Sequence, residues 1–100
     1  MAMVVLESEL QALGVGQLTG LSAVKALNPP PDASYVLLQA ESQNIRYRDD
    51  ETDPTAAIGV RLIADSQGFW YTGPLARLRF LEESASGVLN YAFYKPKLGA

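Results

Sequence analysis

Four carboxylates, Asp49, Asp50, Glu51 and Asp53, crowd the stretch just ahead of Pro54, and Glu82 stands beside Glu83 further along. A loop rich in oxygen ligands suits a hard cation such as calcium, which takes roughly six to eight oxygens and usually a glycine at the sharp turn. Here the turn holds Pro54, and no bidentate acid follows at the loop's end. The residues therefore predict a solvated turn, in which Asp53 caps Thr55 and Arg46 or Arg48 offsets the charge. Two neighbouring glutamates serve glycosidase chemistry only if both reach one substrate across a cleft. Neighbours on a strand point to opposite faces, so Glu82 and Glu83 predict no such site. The chain has no cysteine and no histidine. That removes thiolate nucleophiles, disulfides, zinc ribbons and the commonest general base. No glycine pattern able to cradle a phosphate is present. The expectation is a non-enzymatic chain with no cofactor and no resident metal.

The remaining chemistry is that of contact. Tyr35, Tyr47, Phe69, Trp70, Tyr71, Tyr91, Phe93 and Tyr94 are eight of the nine aromatic residues, all on strand-like segments. Alternation sets Phe69 and Tyr71 opposite Trp70, and Tyr91 and Phe93 opposite Tyr94. Trp70 and Tyr94 are then the predicted surface aromatics, able to fill a partner's pocket, stack on a sugar ring or cover a second sheet. Arg46, Arg48 and Arg61 alternate onto one outer face and predict a basic patch for an acidic partner. Eight basic residues against eleven acidic ones leave a net charge of −3, with no run of Lys or Arg. Nucleic acid is not an expected partner.

One hundred residues make one domain. From Ala33 onward short strand-like segments follow one another between turns, the pattern of an all-β sandwich or barrel. Residues 34–41 are apolar on both faces and predict a central strand covered on both sides. Residues 44–49 alternate, with Ile45 and Tyr47 inward. Residues 58–64 put Ile58, Val60, Leu62 and Ala64 inward. Residues 68–72 form an aromatic strand stopped by Gly73 and Pro74. Residues 77–83 and 88–95 flank Ser84, Ala85, Ser86 and Gly87 and predict a closing hairpin. Before Pro29, glycines at 14, 16 and 20 cut short any helix through Leu6, Leu10 and Leu13. Residues 1–28 therefore read as an extended N-terminal arm of short strands, laid on residues 29–100 or on a neighbouring subunit. The apolar Val4, Val5 and Leu6 are its expected contacts. No apolar run is long enough to span a bilayer, and Glu7 and Glu9 interrupt the segment where a signal peptide needs an apolar centre. The expectation is a protein that is cytosolic when made, with no membrane partner.

The run Leu38, Gln39, Ala40, Glu41, Gln43, Asn44, Ile45, Arg46, Tyr47, Arg48, Asp49, Asp50, then Asp53, Pro54, Thr55, Ala56 and Gly59, resembles small virion proteins encoded in the structural-gene clusters of tailed phages. The closing Leu89, Asn90 and Tyr94 match a terminal strand of those proteins. The likeness covers about the last two-thirds of the chain. Glu51, where relatives carry glycine, and the dense Pro29 to Pro31 run depart from it. The resemblance implies a β-sandwich virion component, either a capsid decoration (cement) protein outside the head or a small part of the neck or tail. We read the chain as a single jelly-roll-like β-sandwich bound to the major capsid protein or another virion protein, as a homo-oligomer, dimer or trimer. A virion-surface glycan-binding module is the alternative.

Overall fold

Seven strands are joined by turns rich in Ser, Asp, Gly and Pro in the computed structural model, which describes residues 10–97. They are β1 (Leu10–Leu18), β2 (Tyr35–Glu41), β3 (Ile45–Arg48), β4 (Val60–Leu62), β5 (Phe69–Tyr71), β6 (Arg79–Glu82) and β7 (Val88–Pro96). A 3-10 turn, Leu75–Arg77, precedes β6. All pairings are antiparallel. Sheet A has the order β1-β7-β2-β5, and sheet B the order β4-β3-β6. The fold is all-β, built of two antiparallel sheets. Among the described residues no helix is long and apolar enough to cross a membrane.

Both sheets turn one face to a shared core. Val36, Leu38, Ala40, Tyr71, Leu89 and Phe93 come from sheet A, and Ile45, Tyr47, Leu62 and Phe80 from sheet B. The period-2 alternation read in residues 44–49 produces this arrangement directly: Ile45 and Tyr47 are buried while Arg46 and Arg48 face away.

Several expectations are corrected. Residues 77–83 and 88–95 do not form a hairpin, because β6 belongs to sheet B and β7 to sheet A. Phe80 and Leu89 enter the core from opposite sheets, and the intervening turn, with Ser86 at φ 72°, carries the chain across. In residues 58–64 only Leu62 is buried, while Ile58 and Val60 are 57% and 55% exposed. The Thr55–Ile58 turn and Gly59 at φ 141° shorten the strand to three residues at the sheet edge. Phe69, placed inward by alternation, is 42% exposed because β5 is likewise a short edge strand.

The N-terminal segment takes one of its two expected courses. Its described part, from Leu10, is an edge strand of its own subunit: β1 pairs with β7 from Leu10 opposite Pro96 to Leu18 opposite Leu89. Glycine suits this strand at Gly16, where a Cβ would lie 2.5 Å from the Tyr91 phenol oxygen, so the cross-strand ring lies over bare backbone. Leu21 and Leu27 then enter the core. Lys25 exchanges both backbone hydrogen bonds with Phe80, at 3.0 and 2.9 Å, which adds an isolated antiparallel bridge beside β6. Val4, Val5 and Leu6 lie outside the described residues.

Candidate functional site

The acidic turn comes apart into separate partnerships. Tyr71 donates its phenol hydrogen to Asp49, Arg48 grips Asp50 through two nitrogens, and Arg77 lies 3.4 Å from Glu51. Burial, and then the hydrogen bond to Asp49, push the Tyr71 hydroxyl well above its ordinary range. The Arg48 hydrogen bond holds the Asp50 carboxyl below the usual carboxylate range. The turn itself is closed by Thr55, whose hydroxyl accepts from the amides of Ala57 and Ile58 at 3.2 and 2.9 Å. The expected Asp53 cap gives way to this arrangement. Among the described residues no group of three or more acidic side chains is placed to hold a metal ion.

Arg46, Arg48 and Arg61 do share the outer face of sheet B, with Arg46 directly opposite Arg61. Like charges in that position repel, and Glu83 resolves the conflict. Its Oε2 lies 2.7 Å from Arg61 Nε, in a hydrogen bond, and 2.6 Å from Arg46 Nε, in an ion contact whose angle falls short of one. Arg46 also donates to the Gly59 carbonyl at 3.0 Å. Partial burial opposes ionisation of Glu83, but hydrogen bonds from Arg61 and Asn44 and the charge of Arg46 outweigh it. The carboxyl is held below its usual range. With Asp50 on Arg48, two carboxylates answer three arginines, so the predicted basic face is partly neutralised and keeps an excess of positive charge, to which Arg79, opposite Arg48, adds. Sequence reasoning missed Glu83 in this role because its partners lie on strands far away in the chain.

A carboxyl with a lowered folded-state pKa contributes stability above the ordinary glutamate range and loses it as pH falls through the folded value. Glu83→Gln should therefore lower the melting temperature at pH 7, and the gap from wild type should close as pH drops below about 4. Thermal melts of both proteins from pH 7 to pH 3 check this. An unchanged gap at acid pH would mean that the loss comes from packing rather than charge.

The outer face of sheet A is different in kind. Cross-strand register sets out three rows. Gln17, Asn90 and Gln39 form an amide row, joined by hydrogen bonds of 2.7 Å from Gln17 to Asn90 and 2.7 Å from Asn90 to Gln39. Val15, Ala92, Leu37 and Trp70 form an apolar row across all four strands. Ala12, Tyr94 and Tyr35 form the third. Trp70 packs on Tyr94 with ring centroids 5.1 Å apart and planes at 57°. No charged side chain stands in these rows, and Glu41 at the end of β2 is the first one met. Val15 is 83% exposed, and a shallow apolar depression of about 160 Å³ lies between Val15, Leu37, Gln39 and Asn90.

This face corrects the expectation of a doubly covered β2. Val36, Leu38 and Ala40 are buried, but Tyr35, Leu37 and Gln39 are only half-buried, because no further layer covers them among the described residues. Of the expected contact residues, the structure brings Trp70 and Tyr94 together here and sets Arg46, Arg48 and Arg61 on the other sheet. Val15, Leu37 and Ala92 were missed as contacts. Leu37 carried a signal, since a strand apolar on both faces needs cover on both. No protein-family model, curated protein or solved structure matches the chain.

Proposed function

We propose that this chain is a non-enzymatic structural subunit of a tailed-phage virion, a decoration (cement) protein seated on the outside of the capsid with sheet A against the major capsid protein. The observation that carries the reading is the outer face of sheet A, which no layer covers among the described residues and whose three rows hold no charged side chain. A strand with apolar residues on both sides gains from cover on both, and burying side chains of the size of Val15 or Leu37 is worth about 1.5–3 kcal/mol each. A shell subunit supplies that cover. Small proteins that bridge capsid subunits stabilise the shell by mass action, since they bind the assembled state and not the dissociated one. Trp70 and Tyr94 are the aromatic anchors such an interface uses. The protein then resides in the virion after synthesis in the host cytoplasm.

The finer architecture belongs to the same proposal. Sheets β1-β7-β2-β5 and β4-β3-β6, with the Lys25 bridge beside β6, follow the order of an eight-stranded jelly roll whose second strand is reduced to one bridge. That order supports a jelly-roll-like β-sandwich. Jelly rolls serve viral capsids and lectins alike, so the functional reading rests on the face rather than on the fold. The face favours a protein partner over a glycan. Two of its three aromatic rings, Trp70 and Tyr94, pack on each other at an angle instead of forming a flat platform, and its amides are engaged with one another.

The test is to add the purified chain to heads of the phage that encodes it, prepared without it, and to sediment the mixture. The expected result is saturable uptake in fixed proportion to the capsid protein. Uptake by tails alone would move the protein to the neck or tail. Capture by glycans with no uptake by particles would replace the proposal with the glycan-binding alternative.

A further inference from the structure

Every sheet edge exposes unpaired backbone donors and acceptors, and proteins ordinarily blunt such edges with short strands, charges or proline. Three of the boundaries here follow that practice. β4 and β5 are three residues each, and Lys25 bridges the outer side of β6. β1 does not. It runs for nine residues, Leu-Gln-Ala-Leu-Gly-Val-Gly-Gln-Leu, without a charge or a proline, and among the described residues it pairs only with β7. Its single irregularity is the bulge between Ala12 and Gly14.

We infer that β1 pairs with β1 of a second copy of this chain, antiparallel about a two-fold axis at Val15, which joins two four-stranded sheets into one of eight strands. Charge permits a second copy. The chain carries a net charge of −3, so two copies repel unless they meet at a neutral surface, and β1 with the adjoining face of sheet A is that surface. A two-fold pairing also needs no second recognition sequence, because each strand meets itself. Register selects Val15. An axis there sets Val15 against Val15 and Gly14 against Gly16, within the stretch of β1 that follows the bulge. The small glycines flank the central pair, and the apolar row Val15, Ala92, Leu37 and Trp70 continues unbroken into its symmetry mate. An axis one residue away would put Val15 against a residue of different size and break that row. The inference stands independently of the virion reading, since a dimer forms in solution with no particle present.

The chain has no cysteine, so Val15→Cys introduces a single thiol. In the paired dimer the two β-carbons at position 15 stand about 4.5–5.5 Å apart, close enough for a disulfide with slight adjustment. Val15 is largely exposed, so substitution there spares the core. The experiment is sedimentation velocity on the full chain at micromolar to submillimolar concentration, for wild type, Val15→Lys, Val15→Glu and an equal mixture of the two variants. Melting curves confirm that each variant is folded. Wild type is expected at twice the mass of the chain. Each charged variant alone should dimerise at least tenfold more weakly, because like charges then lie directly opposite, and the mixture should recover the dimer. Under oxidised glutathione, Val15→Cys should become a covalent dimer while Thr72→Cys, exposed beyond β5, should not. A wild type that stays monomeric throughout would overturn the inference. So would a Val15→Lys variant that dimerises as tightly as wild type.

Discussion

Replacing Phe80 by alanine is expected to cost about 3–5 kcal/mol, the range for removing a buried aromatic ring and leaving a cavity behind. Small domains hold roughly 5–15 kcal/mol in total, so the variant should be close to unfolding at room temperature. Phe80 is fully buried, its ring lies 6.3 Å from that of Tyr47, and its backbone carries the bridge to Lys25. Loss of the ring therefore loosens β3, β6 and the Lys25 segment together. Phe69→Ala, at an exposed edge position, is the matched control and should lose less than half as much. Urea denaturation of both variants decides the matter. Equal losses would mean that the exposed end of β5 belongs to the core.

Leu21→Ala is the second large effect, expected at about 2–5 kcal/mol. Leu21 is fully buried, and its carbonyl accepts a 3.0 Å hydrogen bond from the Glu82 amide. A detachable arm ending at residue 28 would place this leucine at the surface, where truncation to alanine changes little. Denaturation midpoints separate the two cases. A variant as stable as wild type would return residues 10–28 to the status of an arm.

The strands after Ala33 were readable because alternation and turn residues are local signals. Residues 44–49 show it best: the buried Ile45 and Tyr47 and the outward Arg46 and Arg48 follow from a period of two alone. β1 was not readable in this way. Its glycines argue against strand and helix alike until Tyr91, far along the chain, lies over Gly16. The exchange of β6 and β7 between sheets was equally hidden, because Ser84, Ala85, Ser86 and Gly87 suit a hairpin turn and a crossing between sheets equally well.

The candidate site was half legible. Alternation located Trp70 and Tyr94 on an outer face, and the structure sets them in contact. The arginine face was legible as a direction, but residue counts along a strand do not reveal that Glu83 and Asp50 fold back onto it and neutralise part of its charge. The decisive property of sheet A is that, among the described residues, no layer covers its outer face. Sequence shows an apolar residue such as Leu37 but not what stands over it.

The central claim is that sheet A, and not the arginine face of sheet B, meets the capsid. Its most direct test compares Trp70→Ala with Arg48→Ala in binding to heads that lack the protein, after melting curves have shown both variants folded. Loss of an aromatic anchor should weaken binding by about 2 kcal/mol or more, roughly thirtyfold, while Arg48→Ala should bind within about twofold of wild type. Retention of full affinity by Trp70→Ala together with its loss in Arg48→Ala would contradict the account and transfer the contact to sheet B.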